Sequence, residues 1–334
     1  MASNYTTNYG LCQWQPGDKF LREEFNQDNE KLDTVLERAE GKADRALSGL
    51  EAADYNLYNL ILQSDYEGKH TGWKKALLFD GFRDRSGVLS LGQGLLLSDG
   101  AVALSKNGQS NYSLGYGAES DRGGKVETRA VTVSGCGRLT GMNLRLRNGL
   151  SWETSVETNY EIQVNGMLCE SGASDTPVIP AYSTGEGIFP FQKGVEVKPG
   201  DVVVVRLDLH SAWRYAVDSG GSNLGGTLRF TPISATSGTI TTRTSALPAG
   251  EGVRLWVRHK GGSVTAALTV DDRPCTLIQS GQRNTLEPQH GVRCTETAFS
   301  FNGETASGNI QLKLTLSLGG DSTMALYDYG LLLL

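Results

Sequence analysis

"VEVKPGDVVVVRLDL", residues 195–209, is the stretch that decides the fold class. Two runs rich in β-branched residues flank Pro199-Gly200. The second alternates, so that Val203, Val205, Leu207 and Leu209 share one face while Arg206 and Asp208 share the other. A Pro-Gly pair suits the corner of a tight turn, and period-two alternation marks a strand with one buried side. The segment predicts a hairpin in an antiparallel sheet that covers a core.

The same texture continues from Leu77 to Leu334. Short β-type runs occupy residues 88–97, 126–133, 142–147, 160–164, 195–197, 202–209, 227–230, 253–257, 264–270 and 310–318, broken by Gly, Asn, Asp and Ser. No long amphipathic helix separates one run from the next, which excludes βαβ folds and predicts one or two antiparallel β-sandwiches, jelly-roll-like. Four blocks recur in order. Residues 127–147, 160–169, 202–209 and 226–230 match 241–258, 267–275, 310–317 and 328–333 loosely, with block starts offset by between 102 (226 to 328) and 114 (127 to 241). The pattern suggests a duplicated sandwich, joined through "TPISATSGTI" at 231–240. The predicted organisation is a segment at 1–17, a helix at 18–64, a linker and β neck at 65–125, and sandwiches at 126–235 and 236–334.

Ahead of the β region the period changes. Asp18, after a "QPGD" turn, is placed to cap a helix with Glu23 and Glu24 early in it. Apolar or small residues then fall at Phe25, Leu32, Leu36, Ala39, Ala43, Ala46, Leu50, Ala53, Leu57 and Leu60, in steps of four and three once Asn29 fills its place. The positions between are mostly charged or polar, so the stripe is as narrow as a coiled-coil seam. Gly41 and Gly49 each cost about 1 kcal/mol relative to Ala, so association must supply stability. At about 1.5 Å per residue the helix is a rod of roughly 70 Å. The competing reading is a long helix folded back on its own chain.

Composition excludes several classes. With 38% hydrophobic and 20% charged residues, 42 glycines without a three-residue period, and a net charge of −6, the chain is globular, not collagenous, and a poor partner for nucleic acid. The pI is near 5.4. No run reaches the roughly 20 apolar residues of a spanning helix and the N-terminus lacks a signal-peptide pattern, so we expect a soluble protein made in the cytoplasm, with no membrane insertion. Cys12, Cys136, Cys169, Cys275 and Cys294 are scattered singly, as in a reduced protein with mostly buried thiols.

Catalytic templates fit poorly. Gly92 and Gly94 lack the third glycine of a dinucleotide loop, "DRGGK" at 121–125 lacks the Ser or Thr of a P-loop, and the histidines His70, His210, His259 and His290 are isolated. No nucleophile elbow is present. We therefore expect no enzyme activity and assign no catalytic residue, cofactor or metal. Trp213, Arg214 and Tyr215 precede a long loop and are candidates for contact with a sugar. The simpler role for such aromatics is to plug a sandwich end, and the same choice applies to Trp152, Tyr160 and Trp256.

The N-terminal text adds a resemblance. "NYGL" (Asn8, Tyr9, Gly10, Leu11), Trp14 and "LREEFNQDNEKLD" with Phe25, Asn26, Asp28, Asn29 and Leu32, followed by an Ala/Glu/Lys-rich heptad helix, resemble tail-fibre-like and receptor-binding structural proteins of phages and prophages of Gram-positive bacteria. "LYDYGLLLL" at 326–334 is similar to the closing strand of such proteins. The resemblance is specific over about the first 50 residues and generic beyond them. It implies a virion protein whose N-terminus (Tyr9, Leu11, Trp14) docks on the tail or baseplate, whose helices form a homotrimeric stem, and whose β domains bind a bacterial surface polysaccharide. The alternatives are a purely structural head fibre, collar or baseplate accessory, and a tail-associated depolymerase.

Overall fold

A computed structural model describes residues 1–70, 72–106, 110–115, 124–155, 158–174, 177–209 and 225–334, with backbone alone at Trp213–Arg214, Glu51 and Tyr55. The chain divides into two compact units, Met1–Ile61 and Leu62–Leu334. It is mainly β, with antiparallel sheets and one N-terminal helix.

The first unit opens with a two-stranded ribbon, β1 (Asn4–Tyr5) on β2 (Cys12–Gln13). Helix α1 (Arg22–Gly68) starts three residues later than Lys19 and ends four residues past 64. Asp18 is not its cap. That carboxylate accepts the backbone N–H of Gln15 (2.7 Å) and Ser3 (2.9 Å), closing the Pro16-Gly17 turn, and these bonds hold its pKa below the ordinary value. Glu23 and Glu24 lie in the first turn, where the helix dipole favours them.

In the second unit the strands are β3 (Ala76–Asp80), β4 (Val88–Leu91), β5 (Leu96–Ser98), β6 (Ala101–Ser105), β7 (Asn111–Leu114), β8 (Gly124–Glu127) and β9 (Val131–Thr132). Next come β10 (Gly137–Asn148), β11 (Thr154–Ser155), β12 (Thr158–Val164), β13 (Met167–Ala173), β14 (Val178–Ile179), β15 (Thr184–Val197), β16 (Val202–Leu209), β17 (Trp213–Arg214) and β18 (Gly225–Pro232). The chain closes with β19 (Ser237–Thr242), β20 (Ser245–Leu247), β21 (Gly250–Lys260), β22 (Ser263–Val270), β23 (Arg273–Cys275), β24 (Ile278–Leu286), β25 (Arg293–Thr305), β26 (Gly308–Ser317) and β27 (Thr323–Leu333).

These strands make two sandwiches. One pairs β15-β10-β18-β7 in a front sheet and β13-β12-β16-β8 in a back sheet, with β9 beside β16. Counting its eight main strands in chain order, the sheets read 6-3-8-1 and 5-4-7-2, which is jelly-roll order. The other pairs β25-β21-β27-β6 and β23-β22-β26-β19, the same order again, with β3, β4, β5, β20 and β24 added. All four recurring sequence blocks fall on equivalent strands: β9–β10 on β20–β21, β12–β13 on β22–β23, β16 on β26, and β18 on β27. Each lobe has its own core, centred on Leu144, Phe189, Val205 and Leu228 in the first and on Leu255, Leu314, Leu326 and Leu331 in the second.

The lobes are nested rather than consecutive, which corrects the expected neck at 65–125. Strand β6 pairs with β27 across more than two hundred residues, and β3 continues along the same edge of β27. The lobe made by 111–232 is thus an insertion between β6 and β19, the first two of the frame lobe's eight main strands. Chain order cannot disclose this, because strands 88–105 have their partners at the far end of the sequence. At the crossing, Ser105 O accepts the Ala235 N–H (2.9 Å), and its Oγ accepts the Cys136 N–H (2.9 Å).

The expected hairpin at 195–209 is also corrected. The turn forms: Asp201 N–H donates to Lys198 O (3.1 Å), Lys198 N–H to Asp201 Oδ2 (2.9 Å), and Gly200 takes φ +94°. Yet β15 belongs to the front sheet and β16 to the back. Both edges of β16 are filled, by β12 on one side and by β8 and β9 on the other. The turn therefore carries the chain across the core, with Val195, Val197, Val203 and Val205 facing one another from opposite sheets.

Candidate functional surfaces

The eleven seam positions, Phe25, Asn29, Leu32, Leu36, Ala39, Ala43, Ala46, Leu50, Ala53, Leu57 and Leu60, are all exposed in the single chain. Leu36, Leu50 and Leu60 are at least 60% exposed. Fully burying one leucine is worth about 1.5–3 kcal/mol, so this face carries a large unrealised stabilisation until something covers it.

The N-terminal segment folds against its own helix. Cys12 N–H donates to Asp28 Oδ2 (2.6 Å), Ala2 N–H to Glu24 Oε2 (3.0 Å), and the Lys31 ammonium pairs with Asp28 (3.2 Å). Trp14 lies against Phe20 (ring centroids 4.8 Å apart) and Phe20 against Phe25 (5.8 Å). Tyr9 is exposed, while Leu11 and Trp14 are half-buried, so of the three docking candidates Tyr9 is the most open.

The last turns of α1 belong to the second unit and sit on the outer face of the frame lobe. Leu62 and Tyr66 are fully buried. Tyr66 lies over Gly330 of β27, where any Cβ would come within 2.5 Å of its ring Cγ, and its hydroxyl donates to Asp328 Oδ1. Arg258, also fully buried, reaches Glu296 (3.2 Å), Asp328 (3.5 Å) and Asp65. Lys69 reaches Glu296 (3.3 Å) and lies 4.3 Å from the Tyr66 ring centre, and Arg283 closes on Glu296 (2.9 Å). Three cations thus meet three carboxylates, as burial of charge demands. Burial pushes the Tyr66 phenol well up, with Asp328 adding to it; burial pushes Asp328 up to about 6, against the pull of Arg258. A recess of about 310 Å³ lies alongside, lined by Lys69, Trp256, Gln282, Arg283 and Glu296. Trp256 therefore faces outward, against Tyr66, while Val253, Leu255 and Val257 face the core.

Of the sugar candidates, the backbone of Trp213–Arg214 pairs with Asn148 and Arg147 of β10; their side chains, and Tyr215, lie outside the described residues. Trp152 is 61% exposed. Tyr160 is a core residue whose hydroxyl donates to Pro190 O (2.9 Å) beside an edge-on Phe189. The sequence pattern did not single out a second surface, a recess of about 1,100 Å³ on the outer face of the back sheet. Its lining includes Lys125, Glu127, Asn159, Glu161, Arg206 and Asp208.

No protein-family model and no curated protein matches the chain. Among solved structures it is similar to those of infectious bursal disease virus, the Gt strain (10% identity, TM-score 0.19) and the Gx strain (10% identity, TM-score 0.20). These matches cover 70% of this chain and 40% and 41% of the viral chains, so the chain spans about two fifths of their length. It is also similar to the N-terminal CBM22-1-CBM22-2 tandem domain from Paenibacillus barcinonensis Xyn10C, at 8% identity and TM-score 0.21, over 74% of this chain and 100% of that one. Superpositions this shallow carry no functional weight, and the fold description rests on strand order.

Among the described residues no group of His, Cys, Asp and Glu is arranged to hold a metal ion, and no helix is long and apolar enough to cross a membrane. His259 is held by Gly261 O and Thr297 Oγ1, each at 3.0 Å, and burial lowers its pKa, which favours the neutral ring. The five cysteines are unpaired thiols, and Cys136 and Cys294 are buried.

Proposed function

We propose that this chain is a non-enzymatic virion structural protein of the tail-fibre or receptor-binding kind. Its helices associate as a homotrimeric stem, its N-terminal segment docks on a phage tail or baseplate, and its jelly rolls bind a bacterial surface polysaccharide. The observation that carries the reading is the exposed heptad stripe from Phe25 to Leu60, on a helix whose far end is locked to a β lobe by Tyr66 and Arg258. Trimer rather than dimer is an inference from the N-terminal resemblance. Its benefit is physical: three copies on one stem turn a modest sugar affinity into durable attachment.

Light scattering tests the stem. The full chain should weigh three times 35.9 kDa, and Leu36→Glu with Leu50→Glu should reduce it to the single-chain mass. A single-chain mass for the unaltered protein at micromolar concentration would refute it. Labelled protein on host and non-host cells, before and after stripping of surface glycans, separates a receptor-binding role from a purely structural one. Release of reducing sugar from host envelope would point to the depolymerase instead.

A further inference from the structure

The recess on the back sheet of the inserted lobe holds polar groups that neither stem nor docking segment uses. Strand register puts them in two rows across the sheet. Lys125, Asp208 and Asn159 stand opposite one another on β8, β16 and β12, and Glu127, Arg206, Glu161 and Ser171 form the next row, which extends to β13. With strands about 4.8 Å apart and like-facing residues roughly 6.6 Å apart along a strand, the rows form a shallow grid long enough for a short run of sugar rings.

Cross-strand neighbours of opposite charge would normally be expected to pair. Here a single pair closes, Arg206 Nε on Glu127 Oε1 at 2.6 Å. The side chains of Lys125, Asn159, Glu161 and Asp208 make no hydrogen bond or ion pair with another described residue. Acceptors (Glu161, Asp208) and donors (Lys125, Asn159) without a partner among the described residues thus line one recess side by side, an arrangement suited to vicinal hydroxyls, each of which both donates and accepts. Two cations against three carboxylates leave a slight negative excess, which disfavours a polyphosphate ligand and tolerates an amine. The core placement of Tyr160 withdraws the lining's aromatic ring, so hydrogen bonds rather than stacking must hold the sugar.

We propose that this recess is a binding site for a neutral or amine-bearing oligosaccharide of the bacterial surface, a proposal that rests on the glycan-binding reading above. Carboxylates that accept hydroxyl protons make charge-assisted bonds, so losing two should weaken binding by tenfold or more.

The test is an array of printed bacterial oligosaccharides, neutral, amine-bearing and phosphate-bearing, probed with the full chain and with Glu161→Gln/Asp208→Asn and Glu161→Ala/Asp208→Ala. Both side chains are exposed, and equal melting temperatures will show that the variants fold. The expected result is binding of neutral or amine-bearing glycans that both double variants lose. Undiminished binding by the variants would overturn the site while leaving the glycan reading intact. Binding confined to phosphate-bearing glycans would overturn the ligand class. No binding of any glycan by the unaltered chain would overturn site and reading together.

Discussion

Gly330→Ala should unseat the helix from the frame lobe. The added Cβ would lie 2.5 Å from Tyr66 Cγ and 2.6 Å from Cε2, nearer than side-chain carbons ever approach. Tyr66 is fully buried between β27 and Trp256, and the chain on the other side is a paired central strand. The ring must move. Removing a buried aromatic from its site costs about 3–5 kcal/mol, and withdrawing its hydroxyl from the buried Asp328 carboxylate adds to that. In a unit of this size each kcal/mol shifts the midpoint by about 2–4 °C, so a fall of roughly 10 °C in the melting temperature of the β unit is expected. Because the damage passes through Tyr66, Tyr66→Ala made on the Gly330→Ala background should cost much less than Tyr66→Ala alone, a coupling that a double-mutant cycle reads directly. Strictly additive effects, or an unchanged melting temperature for Gly330→Ala, would refute the reasoning.

Three further outcomes follow from the same geometry. Asp80 has Oδ1 on the Phe82 N–H (2.8 Å) and Oδ2 buried without a partner, and burial raises its pKa to about 6 from 3.8. A raised carboxyl pKa contributes fully below about pH 4 and loses its contribution as pH climbs through 6. Asp80→Asn should therefore gain about 3 kcal/mol on the native protein between pH 4 and pH 8 in denaturant midpoints, and parallel profiles would contradict this. Arg258→Met leaves the buried Asp328 carboxylate without its cation, while Glu296 keeps Lys69 and Arg283, and should cost about 3–5 kcal/mol by calorimetry; adding Asp328→Asn should restore most of it, and failure to do so would deny the charge account. On the docking role proposed above, deleting residues 1–15 should leave the solution mass unchanged while abolishing incorporation into particles; loss of helicity by circular dichroism would show instead that the β1–β2 ribbon serves to cap α1.

How much of this was legible depended on whether a feature is local. The heptad spacing from Phe25 to Leu60 announced a narrow helical stripe, and the alternation in 202–209 placed Val203 to Leu209 on the buried side. The four recurring blocks landed on equivalent strands because each block keeps its own in–out pattern. The course of the chain between strands was not legible. Pro199-Gly200 makes the same turn whether the strands pair or separate, and only the occupancy of both edges of β16 decides. The ion cluster left a faint trace: Asp328 stands in the apolar run "LYDYGLLLL", and Arg258 shares a face with Trp256, but their meeting with Tyr66 is set by tertiary packing. The polar recess left none, since Lys125, Asn159, Glu161 and Arg206 read singly as solvated positions.

Nesting also orders events during synthesis. The inserted lobe is contiguous from Asn111 to Pro232 and can close as soon as that segment has left the ribosome. The frame cannot: Val102 and Leu104 await Leu326 and Met324 of β27, more than two hundred residues further along the chain. Until then the half-built frame exposes the apolar faces of β5 and β6, a hazard that lasts while more than two hundred residues are added. A chain that stops short of β27 would therefore carry a finished inserted lobe on an open, adhesive frame, and only chains that reach β27 would present the lobe on a closed support.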